Sequence, residues 1–437
     1  MSICDGRTVR DLLGNAFHEI LIQAGHELTI FTEAVLVPEF VDAWSRPEIR
    51  FRRLLPCQGL QRAKRLMQLR MIAGKKWLPG SNRFFRRVEQ RFGMSSRSEY
   101  ITALQEDNIN AYLATHINLP REQELLQSAR RLKIPTVGLV RSWDNIFKGL
   151  RARPERIAVW NEVNKTEAID FENYCEDEIT IVGAPQFDGY FQDETCSREE
   201  FMQRHNLDPN RRLILFATLG HFIPDFDESC WMEMLMKAID SGQVEGRPQV
   251  ICRLHPWSHN SHFARFASHP DVRMSAVDKY YPSLGWSMSR EDVVEMANMI
   301  QHSDLVITPG STVAIEAAIF DRPTLIPVFH PFQPEMAQEY FNTWILGKHF
   351  KHLVDENLVR IIFDKAQYAE DINRCFTHPN WYASARAELR RTYVAFDDGR
   401  STERLAKLLM SMSECPTESL EKKPARTPSG VVVDSNV

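Results

Sequence analysis

The passage Ser303 to Pro327, SDLVITPGSTVAIEAAIFDRPTLIP, carries the strongest chemical signal in the chain. An apolar run breaks into Pro309-Gly310-Ser311-Thr312 and passes directly into a helical pattern. Backbone N–H groups at a helix start have no intrahelical partner and sit at the positive end of the helix dipole, so Ser311 and Thr312 are suited to hold an anion. Gly310 lets that anion approach the main chain. Glu316, one turn further on the same side, can reach a ribose hydroxyl. The loop follows a strand, and open α/β sheets bind ligands at the C-terminal ends of their strands. A phosphate or diphosphate site is expected; the alternative is a capped core helix.

Other loops that follow apolar runs should open onto the same crevice. Arg253 and His255 in RLHP follow QVICR, and supply a permanent charge for a diphosphate and a group that can donate or transfer a proton near neutral pH. Gly220 and His221 in TLGHFIP follow LILFA. In the first half, Arg141 to Gly149 (RSWDNIFKG) follows TVGLV. There Asp144 is a candidate general base for an acceptor hydroxyl, Trp143 a stacking surface for a sugar, and Ser142 and Asn145 positioning groups. His116, after the YLAT run, is the rival base. Gly6, Arg7 and Thr8 precede the first helix at the corresponding edge and are read as acceptor contacts, although a helix cap explains Thr8 equally well. His255, His259 and His262 have no nearby Cys or paired carboxylate, so no metal site is expected.

These loops need a scaffold of alternating strands and helices. Val9 to Gln23 has the spacing of one amphipathic helix with Gly25 beyond its end, and any strand before it is short or missing. Glu27–Thr32, Ala111–Thr115, Thr136–Val140, Ile157–Trp160 and Ile179–Val182 read as strands, with a helix at about 121–132. After Gly183 to Tyr190 a second series begins: Leu213–Ala217, Gln249–Arg253, Leu305–Thr308 and Thr324–Val328. The reading is an α/β protein with two doubly wound domains, 1–184 and 185–413, followed by a polar, Pro-rich tail over 414–437 that is expected to be disordered.

The 437 residues, 43% hydrophobic and 25% charged, suffice for two cores. Eight cysteines scattered without a CxxC pair argue against a zinc ribbon or a disulfide framework and fit a reducing compartment. Asp5, Arg7, Arg10 and Asp11 fall too early for a signal-peptide core. The longest apolar stretch, Leu305 to Phe320, is interrupted by Pro309, Gly310 and Glu316 and is shorter than a bilayer span. Gly-x-Gly-x-x-Gly, P-loop and Gly-x-Ser-x-Gly patterns are absent, which argues against a dehydrogenase, an NTPase and a hydrolase.

With these loops and elements, the chain resembles the glycosyltransferases of the GT-B fold, two Rossmann-like domains facing across a cleft. SDLVITPGSTVAIEAAIFDRPTLIPV is similar to their donor-site strand, loop and helix, with an acidic residue on the helix and a D-R-P turn into the next strand. RLHP is similar to the R-x-H-P element of CDP-glycerol glycerophosphotransferases. The resemblance spans most of residues 1–410. It departs from the Glu-x7-Glu of many retaining members, since Thr308 stands eight residues before Glu316. It implies transfer of a sugar from a nucleotide-sugar donor, with no separate cofactor, to a cell-surface glycan or lipid-linked acceptor, in the cytoplasm and on the inner face of the membrane. The alternatives are a CDP-alcohol phosphotransferase or a nucleotide-sugar epimerase on the same scaffold, and a non-catalytic shell that docks a polyanion.

The net charge of −5 hides an asymmetry: Arg46 to Arg97 holds 15 Lys/Arg against Glu48 and Glu89. FRRLL, QRAKRLMQLRMIAGKKWL and NRFFRRVEQRF interleave these cations with Leu, Met, Ile, Phe and Trp. Such mixing suits an interfacial helix on an anionic membrane; the alternatives are a solvated basic face packed on the sheet through its apolar side and a contact with RNA or a polyanionic glycan, although no nucleic acid is expected as partner. The protein is accordingly expected to float with phosphatidylglycerol vesicles, to be released by high salt, and to lose binding when Arg86, Arg87 and Arg91 become Glu; indifference to lipid charge rejects the idea.

Overall fold

The structure is a computed structural model, which describes residues 1–58, 65, 88, 95–192, 195–220, 227–256, 260–277, 279–281, 283–346 and 350–414. In the first half, β1 (Ser2–Ile3), β2 (Leu28–Thr32) and β3 (Ile49–Arg53) pair in parallel in the order β1-β2-β3. β4 (Tyr112–Ala114), β5 (Thr136–Leu139), β6 (Arg156–Val159) and β7 (Ile179–Ile181) form a second parallel sheet in chain order. A seam between β1 and β4 joins the two. There the Thr115 hydroxyl donates to the Ser2 carbonyl at 2.8 Å and Ser2 Oγ donates to Glu122 at 2.6 Å.

The second half is one sheet built from β8 (Leu213–Ala217), β9 (Gln249–Arg253), β10 (Val272–Ser275), β13 (Leu305–Ile307), β14 (Thr324–Pro327) and β15 (Arg360–Ile362). All its strands are parallel, in the order β10-β9-β8-β13-β14-β15. β8 and β9 are buried along their whole length, as expected of strands covered by helices on both faces. In each half the strand order reverses once, at β1/β4 and at β8/β13, and such reversals open the crevice in which doubly wound sheets bind ligands.

Every strand read from the sequence is present to within one residue at each end, including the short first strand. The single helix expected over Val9 to Gln23 is not. Gly6–Thr8 is one helical turn, Val9–Leu13 is wound as a π-helix, and Ala16 takes a left-handed φ of 58° before Phe17–Gln23 resumes. Asn15 explains the break, because its Nδ2 donates to both the Asp11 carbonyl and, at 2.6 Å, the Pro185 carbonyl on the crossover between halves.

FRRLL, read as the start of an interfacial helix, instead lies on β3 and its exit. Ile49 and Phe51 face the core, while Arg50 and Arg52 reach Glu27 and Asp107. Most of the rest of Arg46 to Arg97 lies outside the described residues, as does 415–437 of the tail. Among the described residues no helix is long and apolar enough to cross a membrane.

Two segments of the second half pack on the first. The antiparallel hairpin β11 (Lys279–Tyr281) and β12 (Gly285–Ser287) follows β10 but packs on the first half. Leu284 lies in the first core, Tyr281 meets Phe40 edge-on at 5.6 Å, and Gly6 N donates to the Leu284 carbonyl at 3.0 Å. The helix Ser401–Glu414 also returns to the first core, placing Leu405, Ala406 and Leu409 with Leu12 and Phe17. Its start is capped by the crossover: Asp188 accepts from Ser401 N at 2.9 Å and Thr402 N at 2.7 Å. Asp188→Ala strips both orphan N–H groups of their buried partner and is expected to lower the unfolding free energy by about 2 kcal/mol, read from urea denaturation.

Candidate functional site

The two switch points face each other across a cleft of about 330 Å³. The first half supplies Arg7, Arg10, His116 and Arg141 to Asn145; the second supplies Thr218, Arg253, His255, Trp286, Gly310 to Thr312 and Glu316.

The first-half wall is organised by Asp5. Arg141 Nη1 donates to both of its oxygens at 2.8 and 2.7 Å, Arg7 Nη2 donates at 3.1 Å, and Thr8 donates through its N–H and hydroxyl, both at 2.9 Å. Arg141, Arg7 and these hydrogen bonds overcome the burial of Asp5 and hold its carboxyl far below the ordinary carboxylate range. His116 lies 3.6 Å from Asp5 and is 8% exposed. Burial, then Arg141 and Arg7, push its pKa down to about 3 against the opposing pull of Asp5, so the imidazole is neutral. Arg10 donates to Asp11 at 2.5 Å and reaches Gln186 on the crossover at 3.4 Å.

On the opposite wall the Pro-Gly-Ser-Thr loop is braced from behind. Gly310 has a left-handed φ of 83°, and a Cβ there would stand 2.7 Å from Ile345 Cδ1. Tyr340 Oη donates to the Pro309 carbonyl, and the Ser311 and Thr308 hydroxyls are 2.8 Å apart. Arg253 Nη1 donates to Ser275 Oγ and the Ala276 carbonyl at 2.8 and 3.0 Å, which fixes the guanidinium at the sheet edge. His255 N donates to Thr218 Oγ1 at 2.7 Å, and its ring meets Trp286 edge-on at 5.8 Å.

The structure thus brings Arg7, His116, Ser142, Asp144, Asn145, Arg253, His255, Gly310, Ser311, Thr312 and Glu316 to one cleft. Other expected residues have different work. Gly6 is a packing glycine, since a Cβ would lie 2.1 Å from the Trp286 carbonyl oxygen. Thr8 donates to Asp5, which is the helix cap. The N–H of Gly220 is taken at 3.0 Å by Glu228, whose burial raises its pKa to about 7, and His221 lies outside the described residues. Trp143 borders the cleft, but its ring is wedged edge-on between Phe350 and Tyr393 at 5.4 and 5.5 Å and is 5% exposed, so it is a core residue rather than a stacking platform. Glu316 already accepts from Tyr190 Oη at 3.0 Å, and burial raises its pKa despite Arg10.

Sequence reasoning missed Asp5, Arg10 and Arg141 as the framework of the first wall, and Trp286 on the second. The strand-end position of Arg141 was a usable signal; the hairpin bearing Trp286 gave none.

A model of the CDP-glycerol:poly(glycerophosphate) glycerophosphotransferase family matches residues 157–411, more than half of the chain and the whole second sheet, RLHP included. The chain belongs to this family. No curated protein gives a significant match. Among solved structures, a putative UDP-N-acetylglucosamine 2-epimerase from Listeria monocytogenes is similar over 95% of this chain and 96% of its own, at 11% identity and a TM-score of 0.57. The UDP-GlcNAc 2-epimerase of Neisseria meningitidis gives 12% identity, 91% and 97% coverage and 0.53, and a glycosyltransferase from Rickettsia africae 10%, 94% and 97%, and 0.51. These likenesses establish the GT-B fold for this glycerophosphotransferase-family chain.

The depressed pKa of His116 has a stability consequence. The unfolded imidazole takes up a proton below about pH 6.5 and the folded one does not, so this contribution is complete above pH 6.5 and is lost as pH falls toward 3. Urea midpoints at pH 7.5 and pH 5 should therefore converge in His116→Gln relative to the parent chain.

Proposed function

We propose that this chain is a transferase that moves an alcohol phosphate, glycerol phosphate in the family's named reaction, from a cytidine diphosphate donor to an acceptor hydroxyl. The observation that carries this reading is guanidinium on both walls of the cleft, Arg7, Arg10 and Arg141 opposite Arg253, beside the RLHP element inside the family match. A transferred phosphoryl group bears charge on its non-bridging oxygens throughout the reaction, and cations on both sides stabilise it. Transfer at a sugar carbon instead passes through an oxocarbenium-like, cationic sugar, which guanidiniums on both sides disfavour.

In the proposed step the acceptor oxygen attacks the phosphorus that carries the alcohol. The P–O bond to the other phosphate breaks, and CMP leaves with the bonding pair. The hydroxyl proton passes to His116. Burial, and after it Arg141 and Arg7, keep that imidazole a weak base. A bound diphosphate offsets both cations and raises its basicity, so the base is strengthened when donor is present. Arg253, His255 and the Gly310–Thr312 loop hold the diphosphate.

A second reading, transfer of a sugar from a nucleotide-sugar, keeps the same donor loops and rests on the donor-site helix with Glu316 and the D-R-P turn.

Incubation with CDP-glycerol or UDP-GlcNAc and an alcohol acceptor, followed by 31P NMR, separates the two. CMP release from CDP-glycerol is expected; turnover of UDP-GlcNAc alone selects the second reading. His116→Gln should lower kcat about 100-fold or more with donor affinity nearly unchanged, whereas Arg253→Ala should weaken donor binding about tenfold.

A further inference from the structure

A second cavity of about 500 Å³ lies behind the Arg141–Gly149 loop and shares Trp143 and Asp144 with the cleft. It is bounded by the helix Glu162–Glu172, by Lys351–Asp355 and by Tyr393. Its charge is opposite to that of the cleft. Asp144, Glu162, Glu167, Asp170 and Glu356 line it, and the lining Lys351 is paired with Asp355 at 2.6 Å. Among the described residues no three His, Cys, Asp or Glu converge on a point that could hold a metal ion.

Tyr393 is the independent indicator. It is 1% exposed, held by the Asn161 side chain on its carbonyl at 3.1 Å and by Trp143 and His352 edge-on at 5.5 and 6.3 Å. Its hydroxyl nevertheless has no hydrogen-bond partner, although a buried phenol O–H ordinarily finds one. The oxygen lies within electrostatic reach of Glu167 and Glu356, both on the cavity wall. Glu167 accepts from Asn164 Nδ2 at 3.1 Å, and burial together with Asp144 raises its pKa to about 7, so it offers both an acidic proton and a carboxylate.

We propose that this cavity binds a neutral polyhydroxylated compound, a sugar or alditol unit, through Tyr393, Glu167 and Glu356. A phosphate is repelled by the carboxylates. An ammonium ion can donate to the carboxylates but cannot accept from the phenol, whereas a hydroxyl group does both at once. Phe171, 42% exposed, supplies apolar surface for a C–H face of such a compound. Under the transferase reading the family's named acceptor, a poly(glycerophosphate), is repelled here, so the occupant is a separate compound. Binding itself does not depend on that reading.

Saturation-transfer NMR on the full chain, with methyl α-D-glucopyranoside, ribitol, spermidine and sn-glycerol 3-phosphate as separate probes, tests this. Ribitol or the glucoside should give signal that both substitutions below weaken, while any sn-glycerol 3-phosphate signal comes from the guanidinium cleft and is unchanged by them. Tyr393→Phe, which keeps the ring and its packing, should raise the Kd of that probe about fivefold, the loss of one hydrogen bond. Glu167→Gln, at a position less deeply buried, should also weaken it. Binding of spermidine alone, no binding of either polyol, or polyol binding indifferent to both substitutions overturns the proposal. CDP-glycerol turnover, measured without added polyol, reports separately on the transferase reading.

Discussion

One carboxylate holds the first wall of the cleft together. Arg7, Arg141 and His116 crowd into the β1/β4 switch point, and Asp5 sits between them, accepting from both guanidiniums and standing 3.6 Å from the imidazole. Cations this close repel, and Asp5, ionised between the buried Arg141 and the half-exposed Arg7, offsets that repulsion. Its low pKa is the measure of that balance. Asp5 partners Arg7 and Arg141, and Asp11 partners Arg10, so three of the four guanidiniums that line the cleft are held in place by carboxylates.

The loop after β5 divides two environments of opposite sign. On one side the guanidiniums favour a diphosphate; on the other, carboxylates repel it. Asp144 and Trp143 border both, and the Trp143 ring, packed against Phe350 and Tyr393, gives the partition a rigid core. The arrangement sorts small molecules by charge before any shape is read.

The scaffold was legible where burial on two faces writes near-continuous apolar runs, as in LILFA and QVICR, because such strands have few alternatives. The loops that follow them were legible for the same reason, and RLHP and PGST lie where their strand ends predict. Contacts between distant segments were not. The break at Ala16 is made by Asn15 reaching Pro185, 170 residues away, and helical periodicity over Val9 to Gln23 carries no trace of it. Trp143 reads as an exposed aromatic in a polar loop, yet its neighbours come from residues 350 and 393. Alternation in Ile49–Arg53 was visible but masked by its charge, since edge strands carry cations for reasons unrelated to membranes.

The hairpin Lys279–Ser287 belongs to the second half by sequence and to the first by packing, and the crossover at Asp188 joins the halves again at the start of the returning helix. Trp286 and Gln186, beside those two attachments, both border the cleft. A third attachment lies behind the Asp144 loop, where Trp143 packs on Phe350 and Tyr393 and Asn161 donates to the Tyr393 carbonyl. Fastened at all three, the walls of the cleft keep their register through packing alone.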